Sequence, residues 1–208
     1  MLKEIWLDVE TTGLWPKTHA LIQLSGMIFI DGEKMETFNY NIMPFASDKI
    51  EDAALKVNGI SREALESFSP PSLIYRTFLN LLEKYVHKFN TSDKFLMYAY
   101  NARFDDDFLR AFFKKLEDRY YGSYFFFPPI DVMNLAIDHL KSERSSMKNF
   151  KQGTVAEKLG IEIDQSKLHD ALYDVEVTRM IYTMIKDPIN EVEIIPVDKE
   201  STIIRNKK

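Results

Sequence analysis

The sequence contains no cysteine, which excludes disulfides, thiolate zinc sites and thiol nucleophiles and accords with a reducing compartment. It has no apolar run approaching the ~18 residues of a membrane span. Its first residues, MLKEIWLDVE, carry acids where a secretory signal needs an uninterrupted apolar stretch. A soluble, cytoplasmic protein with no membrane partner is the expectation. Excess positive charge is absent too: 27 Lys and Arg against 32 Asp and Glu give −5, which argues against a protein that grips nucleic acid mainly by bulk charge. There is no internal repeat and no low-complexity tract. What remains is 208 residues, 45% of them hydrophobic, enough for one domain that hides about 70% of the surface its unfolded chain exposes.

Ile5 to Val9 is a short apolar run that ends in the turn-prone Thr11-Thr12-Gly13, and Leu21 to Ile30 and Lys34 to Ile42 are two more β-prone stretches. Between them lies Asp31-Gly32, a dipeptide that favours a tight hairpin because both positions tolerate positive φ. The pattern then turns helical. Ile50, Ala53, Ala54 and Val57 form one stripe; Ile74, Phe78, Leu81, Leu82 and Tyr85 form another, with proline before it at Pro70-Pro71. Phe95 to Tyr100 reads as a strand, and Phe104, Phe108, Leu109, Phe112, Phe113 and Leu116 recur at helix spacing. Asp131 suits the N-cap of a helix holding Val132, Leu135, Ala136 and Ile137. Thr154 to Leu159 makes a short helix stopped by Gly160, and Leu172 to Ile185 a longer one stopped before Pro188. A strand meander followed by alternating strand and helix predicts an α/β fold, a mixed sheet flanked by helices.

Three acidic positions draw attention. Asp8 and Glu10 lie two apart in the first strand, so both leave one face while Leu7 and Val9 face the core. A carboxylate pair at a strand end is commonly a solvated edge, but this strand is otherwise apolar, and a desolvated acid there needs a cation or donors. Asp105 stands where strand gives way to helix, a place where acids are common because of the helix dipole. His169 and Asp174 are five apart, which is not a same-face helical spacing; the histidine is expected on the loop and Asp174 one turn inside the helix.

Taken together, Asp8-x-Glu10-Thr11-Thr12-Gly13-Leu14, Asn101-x-x-Phe104-Asp105-x-x-Phe108-Leu109 and His169-x-Ala171-x-x-Asp174-x-x-x-Thr178 resemble the three motifs of the DnaQ-like 3′ to 5′ exonucleases, in the histidine-containing DEDDh branch. The resemblance runs from about residue 3 to 186 and includes Val57-Asn58-Gly59-Ile60 and Ala156-x-Lys158-Leu159-Gly160-Ile161. It implies a ribonuclease H-like fold with a five-stranded mixed sheet, an exonuclease domain over residues 1–188, and residues 189–208 as a C-terminal tail or added strand. Many relatives carry histidine where Tyr100 and Asn58 stand. The tyrosine branch needs Tyr four residues before the last Asp, where this chain has Asp170, and Tyr173 is out of register.

The resemblance makes Asp8, Glu10, Asp105 and Asp174 ligands of two divalent ions, Mg²⁺ or Mn²⁺, with Asp8, Glu10 and Asp174 on one and Asp8 with Asp105 on the other. At an effective dielectric of ~20, each carboxylate pair ~4 Å apart costs about 4 kcal/mol, so such a cluster needs cations, and all-oxygen ligands favour hard ones. His169 is the expected general base, since an imidazole with a pKa of ~6.5 can take a proton from water at neutral pH. His19, His87 and His139 read as surface or capping residues. The resemblance also assigns the backbone around Thr11 and Thr12 to the terminal 3′-hydroxyl, Leu14 to a wedge against the last bases, and Phe104 and Asn101 to the substrate; core packing is the alternative for Leu14 and Phe104, and for Phe104 it fits equally. Trp15 fits both a base stack and a loop cover. Lys141, Arg144, Lys148, Lys151 and Lys158 form either a phosphate strip or a solvated loop. Single-stranded 3′ ends are the expected partner, with a polymerase or replication complex as a second. A silent nucleic-acid-binding module with the same fold is the alternative, and a pure scaffold has no reason to gather repelling acids. The His169-Asp170 dipeptide of the HD phosphohydrolases is disfavoured because those proteins are all-helical.

Overall fold

The computed structural model describes residues 1–164, 167, 170–186, 192–197 and 201–206, and His169 lies outside these described residues. Strands β1 (Lys3–Thr11), β2 (Leu21–Ile30) and β3 (Glu33–Asn41) form the expected antiparallel meander. Asp31 and Gly32 make the β2–β3 turn with φ of 49° and 88°, the doubly positive conformation of a two-residue hairpin. Helices α1 (Asp52–Asn58), α2 (Arg62–Glu66) and α3 (Pro71–Glu83) carry the chain across to β4 (Leu96–Ala99), which pairs parallel with β1. After α4 (Ala102–Lys115) comes β5, only Ile130–Asp131, parallel to β4. The sheet order is β3-β2-β1-β4-β5, a mixed sheet as the strand pattern predicted and five-stranded as the resemblance implied. Helices α5 (Val132–His139), α6 (Gln152–Lys158) and α7 (Ala171–Lys186) complete the domain.

Strand β1 lies at the middle of this sheet and is buried on both faces. Ile5, Leu7 and Val9 belong to a core with Phe78 and Leu82 of α3 and Phe108, Phe112 and Phe113 of α4. Trp6 belongs to the opposite core, with Met27, Tyr98 and the α7 residues Val175, Val177 and Ile181. Burying each of these aliphatic or phenyl side chains contributes about 1.5–3 kcal/mol, so the strand's position is strongly determined. Asp8 and Glu10 continue the Trp6 face, at the strand's far end, beneath the start of α7.

Some expectations fail locally. In α1 the buried residue is Leu55; Val57 is 57% exposed and Ala53 is exposed too, because a helix of two turns ended by left-handed Gly59 presents a single anchor to the core. Helix α2, capped by Ser61 accepting from the Ala64 N–H at 3.2 Å, was not expected; five residues are too few to show a period. Within residues 189–208, β6 (Val192–Val197) and β7 (Ser201–Asn206) pair antiparallel as a two-stranded sheet.

Candidate active site

The end of β1 is built for close approach. Its register with β2 shifts between Glu10 and Thr11, a bulge of the kind that re-aims side chains beside functional sites. On the other edge, β4 pairs with β1 only from Glu4 to Trp6, so β1 runs on past its neighbour. The Val9 N–H on that open edge donates to Asp105 Oδ1 at 3.1 Å. Asp105 is thereby held against β1 from α4, nearly fully buried. Helix α4 starts here because Asn101 adopts the left-handed conformation, φ 65°, which asparagine tolerates better than most residues, and its N–H donates to Asp131 Oδ1 at 3.1 Å.

Asp174 arrives from α7. Asp170 caps that helix, its Oδ1 accepting from the N–H groups of Leu172 and Tyr173 at 3.0 and 3.3 Å. Gln152 of α6 fixes the first turn from the side: its Nε2 donates to Asp174 O and Thr178 Oγ1, both at 2.7 Å. One carboxylate oxygen each from Asp8, Glu10 and Asp174 lies within 4.8 Å of the others. Three of the four acids thus form one oxygen cluster, and Asp105 adjoins it through Asp8.

Electrostatics follow from that crowding. The Asp8 carboxyl is held well above its ordinary range by burial first, then by the charges of Asp105, Glu10 and Asp174. Glu10 is pushed up to about 8 by burial, Asp174 and Asp170. Asp105 is raised as well, burial outweighing the opposing hydrogen bonds from its own and the Val9 amide, with Asp131 and Glu10 adding to the rise. Among the described residues no lysine or arginine forms an ion pair with Asp8, Glu10 or Asp105. Repelling, desolvated carboxylates suit a small hard cation, and the donors, all oxygen and no sulfur, are those that Mg²⁺ and Mn²⁺ prefer.

The loop after β1 is tightly braced. Thr11 Oγ1 donates to Gly13 O at 2.8 Å, and the Asn58 side chain donates to Thr11 O at 2.9 Å. Thr12 is fully buried. Its hydroxyl donates to Lys49 O (2.6 Å) and accepts from Ala20 N (2.8 Å). Its backbone N–H donates to Ala20 O and its carbonyl accepts from Glu51 N, so Thr12 holds the loop and keeps no open backbone N–H. His19 corrects the expectation of a surface residue: it is 2% exposed, accepts from the Trp15 N–H at Nδ1 (3.1 Å) and meets Glu51 at Nε2 (3.0 Å). Gly13 packs on that ring, where a Cβ would come within 2.4 Å of His19 Cδ2. Leu14, by contrast, is 70% exposed, which removes core packing as its role. Phe104 is half-buried at the core's edge, its ring 4.8 Å from that of Phe108. In the basic stretch, Lys141 and Lys158 pair with Asp138 and Glu143 and the Arg144 guanidinium covers the Phe150 ring, which suits a solvated, internally paired loop.

Gln152, Asp131, Asp170 and His19 were not picked out as parts of this site from sequence. Only Asp131 carried a signal, as an N-cap, a role it fulfils by accepting from Met133 N.

The family model of the RNase_T exonucleases matches residues 5–182. A DNA polymerase III PolC-type protein of Thermotoga petrophila is 29% identical over 188 residues, 90% of this chain but 12% of that protein. A ribonuclease T of Buchnera aphidicola subsp. Baizongia pistaciae is 26% identical over 195 residues, 86% of this chain and 81% of that protein. In fold the chain is similar to E. coli exonuclease I solved in complex with a dT13 oligonucleotide: TM-score 0.70 at 18% identity, over 90% of this chain and 42% of that one. The chain therefore spans about an eighth of the PolC-type relative and less than half of exonuclease I.

Proposed function

The chain belongs to the RNase_T exonuclease family, and from that premise we propose that it removes nucleoside 5′-monophosphates from the 3′ end of single-stranded DNA or RNA by metal-dependent hydrolysis. The observation that carries this reading is the meeting of Asp8, Glu10 and Asp174 within 4.8 Å, with Asp105 fixed beside them by the Val9 amide. Asp8, Glu10 and Asp174 would hold one divalent ion and Asp8 with Asp105 a second. When bound, such ions supply Lewis-acid stabilisation of the charge that develops on the phosphodiester oxygens.

The chain's own groups do the rest. His169, the candidate base, takes the proton of the attacking water, and its motif places it ahead of α7, whose first turn carries Asp174. Thr11, the last residue of β1, and Asn101, the N-cap of α4, would take the terminal sugar, and Thr12 braces the loop that follows β1. Leu14, bare to solvent, is shaped to wedge against the last bases, while Phe104 offers a ring face at the edge of the core. A polymerase or replication complex is the partner suggested by the PolC-type relative, a DNA polymerase by name.

The test incubates the protein with 5′-labelled single-stranded DNA and RNA of equal sequence, with Mg²⁺ or with chelator. A ladder that shortens from the 3′ side only with metal is expected; binding without products on either strand would instead indicate a silent binding module. His169→Ala should keep metal binding and lose most turnover, and wild-type turnover should fall as pH drops and the imidazole takes up a proton. A His169→Ala protein at the wild-type rate would remove that residue from the mechanism.

A further inference from the structure

A cleft of about 590 Å³ opens between the loop at Trp15–Thr18 and the outer face of α4, where Asp107, Arg110 and Lys114 line it. Its size is that of a small-ligand site. Its loop wall follows directly on Leu14, and its helix wall belongs to α4, the helix whose first turn carries Asp105. Neither wall belongs to the catalytic set.

The chemistry of the lining is specific. Trp15 is 68% exposed, an indole that covers no core. Lys17 and Lys114 are both exposed, and among the described residues neither has an ion-pair partner. Arg110 is held rather than free: its Nε sits 2.6 Å from Asp106, and its guanidinium lies over the Tyr121 ring at 4.3 Å and toward the exposed Phe127 ring at 5.3 Å. The one acid of the lining, Asp107, faces Arg103 at 3.6 Å. On a chain whose net charge is −5, the cleft combines an open aromatic face, uncompensated lysines and a pre-set guanidinium. Aromatic faces interleaved with cations are what single-stranded nucleic acid uses, bases stacking on rings and phosphates on ammonium groups.

We propose that this cleft binds the nucleotides preceding the scissile 3′ end of a single strand, one base stacking on Trp15 and phosphates lying against Lys17 and Lys114. The assignment rests on the exonuclease reading for the direction of the strand. It makes Trp15 a determinant of substrate length: a strand long enough to reach the cleft binds tighter than one that ends at the cluster.

The test titrates the whole protein, in chelator so that nothing is cut, with a fluorescently labelled dinucleotide and a single strand of about ten nucleotides. Trp15→Ala should weaken the longer strand roughly 5- to 150-fold, the range for loss of one base–ring stack, with a much smaller effect on the dinucleotide. Trp15→Phe, which keeps a ring, should recover most of the loss and so excludes misfolding as its cause. In the double variant Lys17→Gln/Lys114→Gln the slope of log affinity against log salt should fall by about 0.7 per lysine. Equal losses on short and long strands, an unchanged salt slope, or no loss on either strand, the result expected if the cleft served a protein partner, would overturn the proposal. Hydrolysis with Mg²⁺ is measured alongside. A wild-type protein that cuts but is indifferent to Trp15 refutes the cleft alone, and one that binds through Trp15 without cutting refutes the exonuclease reading alone.

Discussion

Glu10 permits a direct test of the crowded cluster. Its carboxyl is pushed from 4.5 to about 8 by burial and by Asp174 and Asp170. A group whose folded-state pKa is raised favours the fold fully below its unfolded value, and that contribution is lost as pH rises through the folded one. In chelator, the wild-type protein should therefore lose about 5 kcal/mol between pH 4.5 and about 8 on account of Glu10, a large part of the 5–15 kcal/mol typical of a domain. Glu10→Gln keeps the shape and removes the titration. Urea unfolding at a series of pH values, with EDTA, should show the two proteins converging near pH 4.5 and the variant ahead by several kcal/mol above about pH 8. Asp8 and Asp105 titrate in both, and because the Glu10 charge raises each of them, the difference reports Glu10 together with its coupling to these two neighbours. Mg²⁺ should restore the wild type at high pH, because an ion that binds only the folded form stabilises it by mass action. Parallel stability curves for the two proteins would refute the account of this site.

Asp105→Ala leaves the Val9 N–H without its acceptor and should cost roughly 1–3 kcal/mol relative to Asp105→Asn, which retains an amide oxygen there. Both should abolish hydrolysis, so equal stabilities by denaturant titration would show that the bond to β1 is not structural. Gly13→Ala drives a Cβ into the His19 ring, which is pinned between Trp15 and Glu51, and should destabilise by about 1–3 kcal/mol. Because His19→Ala removes the obstacle, the double variant should lie above the sum of the singles by a similar amount, and additivity to within about 0.5 kcal/mol would refute the contact.

The sequence was legible where one local rule sufficed. Two-residue alternation separated Asp8 and Glu10 from Leu7 and Val9, and Asp31-Gly32 marked its own turn. The phenylalanines of α4 announced a buried helix face. Legibility ended where a residue's role depends on a partner far along the chain. His19 looked like a surface histidine because nothing near it in sequence points to Glu51, and Asp105 looked like an ordinary helix-start acid. What distinguishes Asp105 is the length of a different strand: β4 stops at Ala99, so β1 extends past it with an open edge, and α4 begins where its first turn can supply the missing acceptor. The same early stop puts the helix start, rather than another strand, beside Asp8. In open α/β sheets this region beyond the carboxyl ends of parallel neighbours is where ligands bind, and here β1 and β4 are such a pair. The site is thus a consequence of unequal strand lengths: the acids from α4 and α7 meet β1 where it runs on past its pairing with β4.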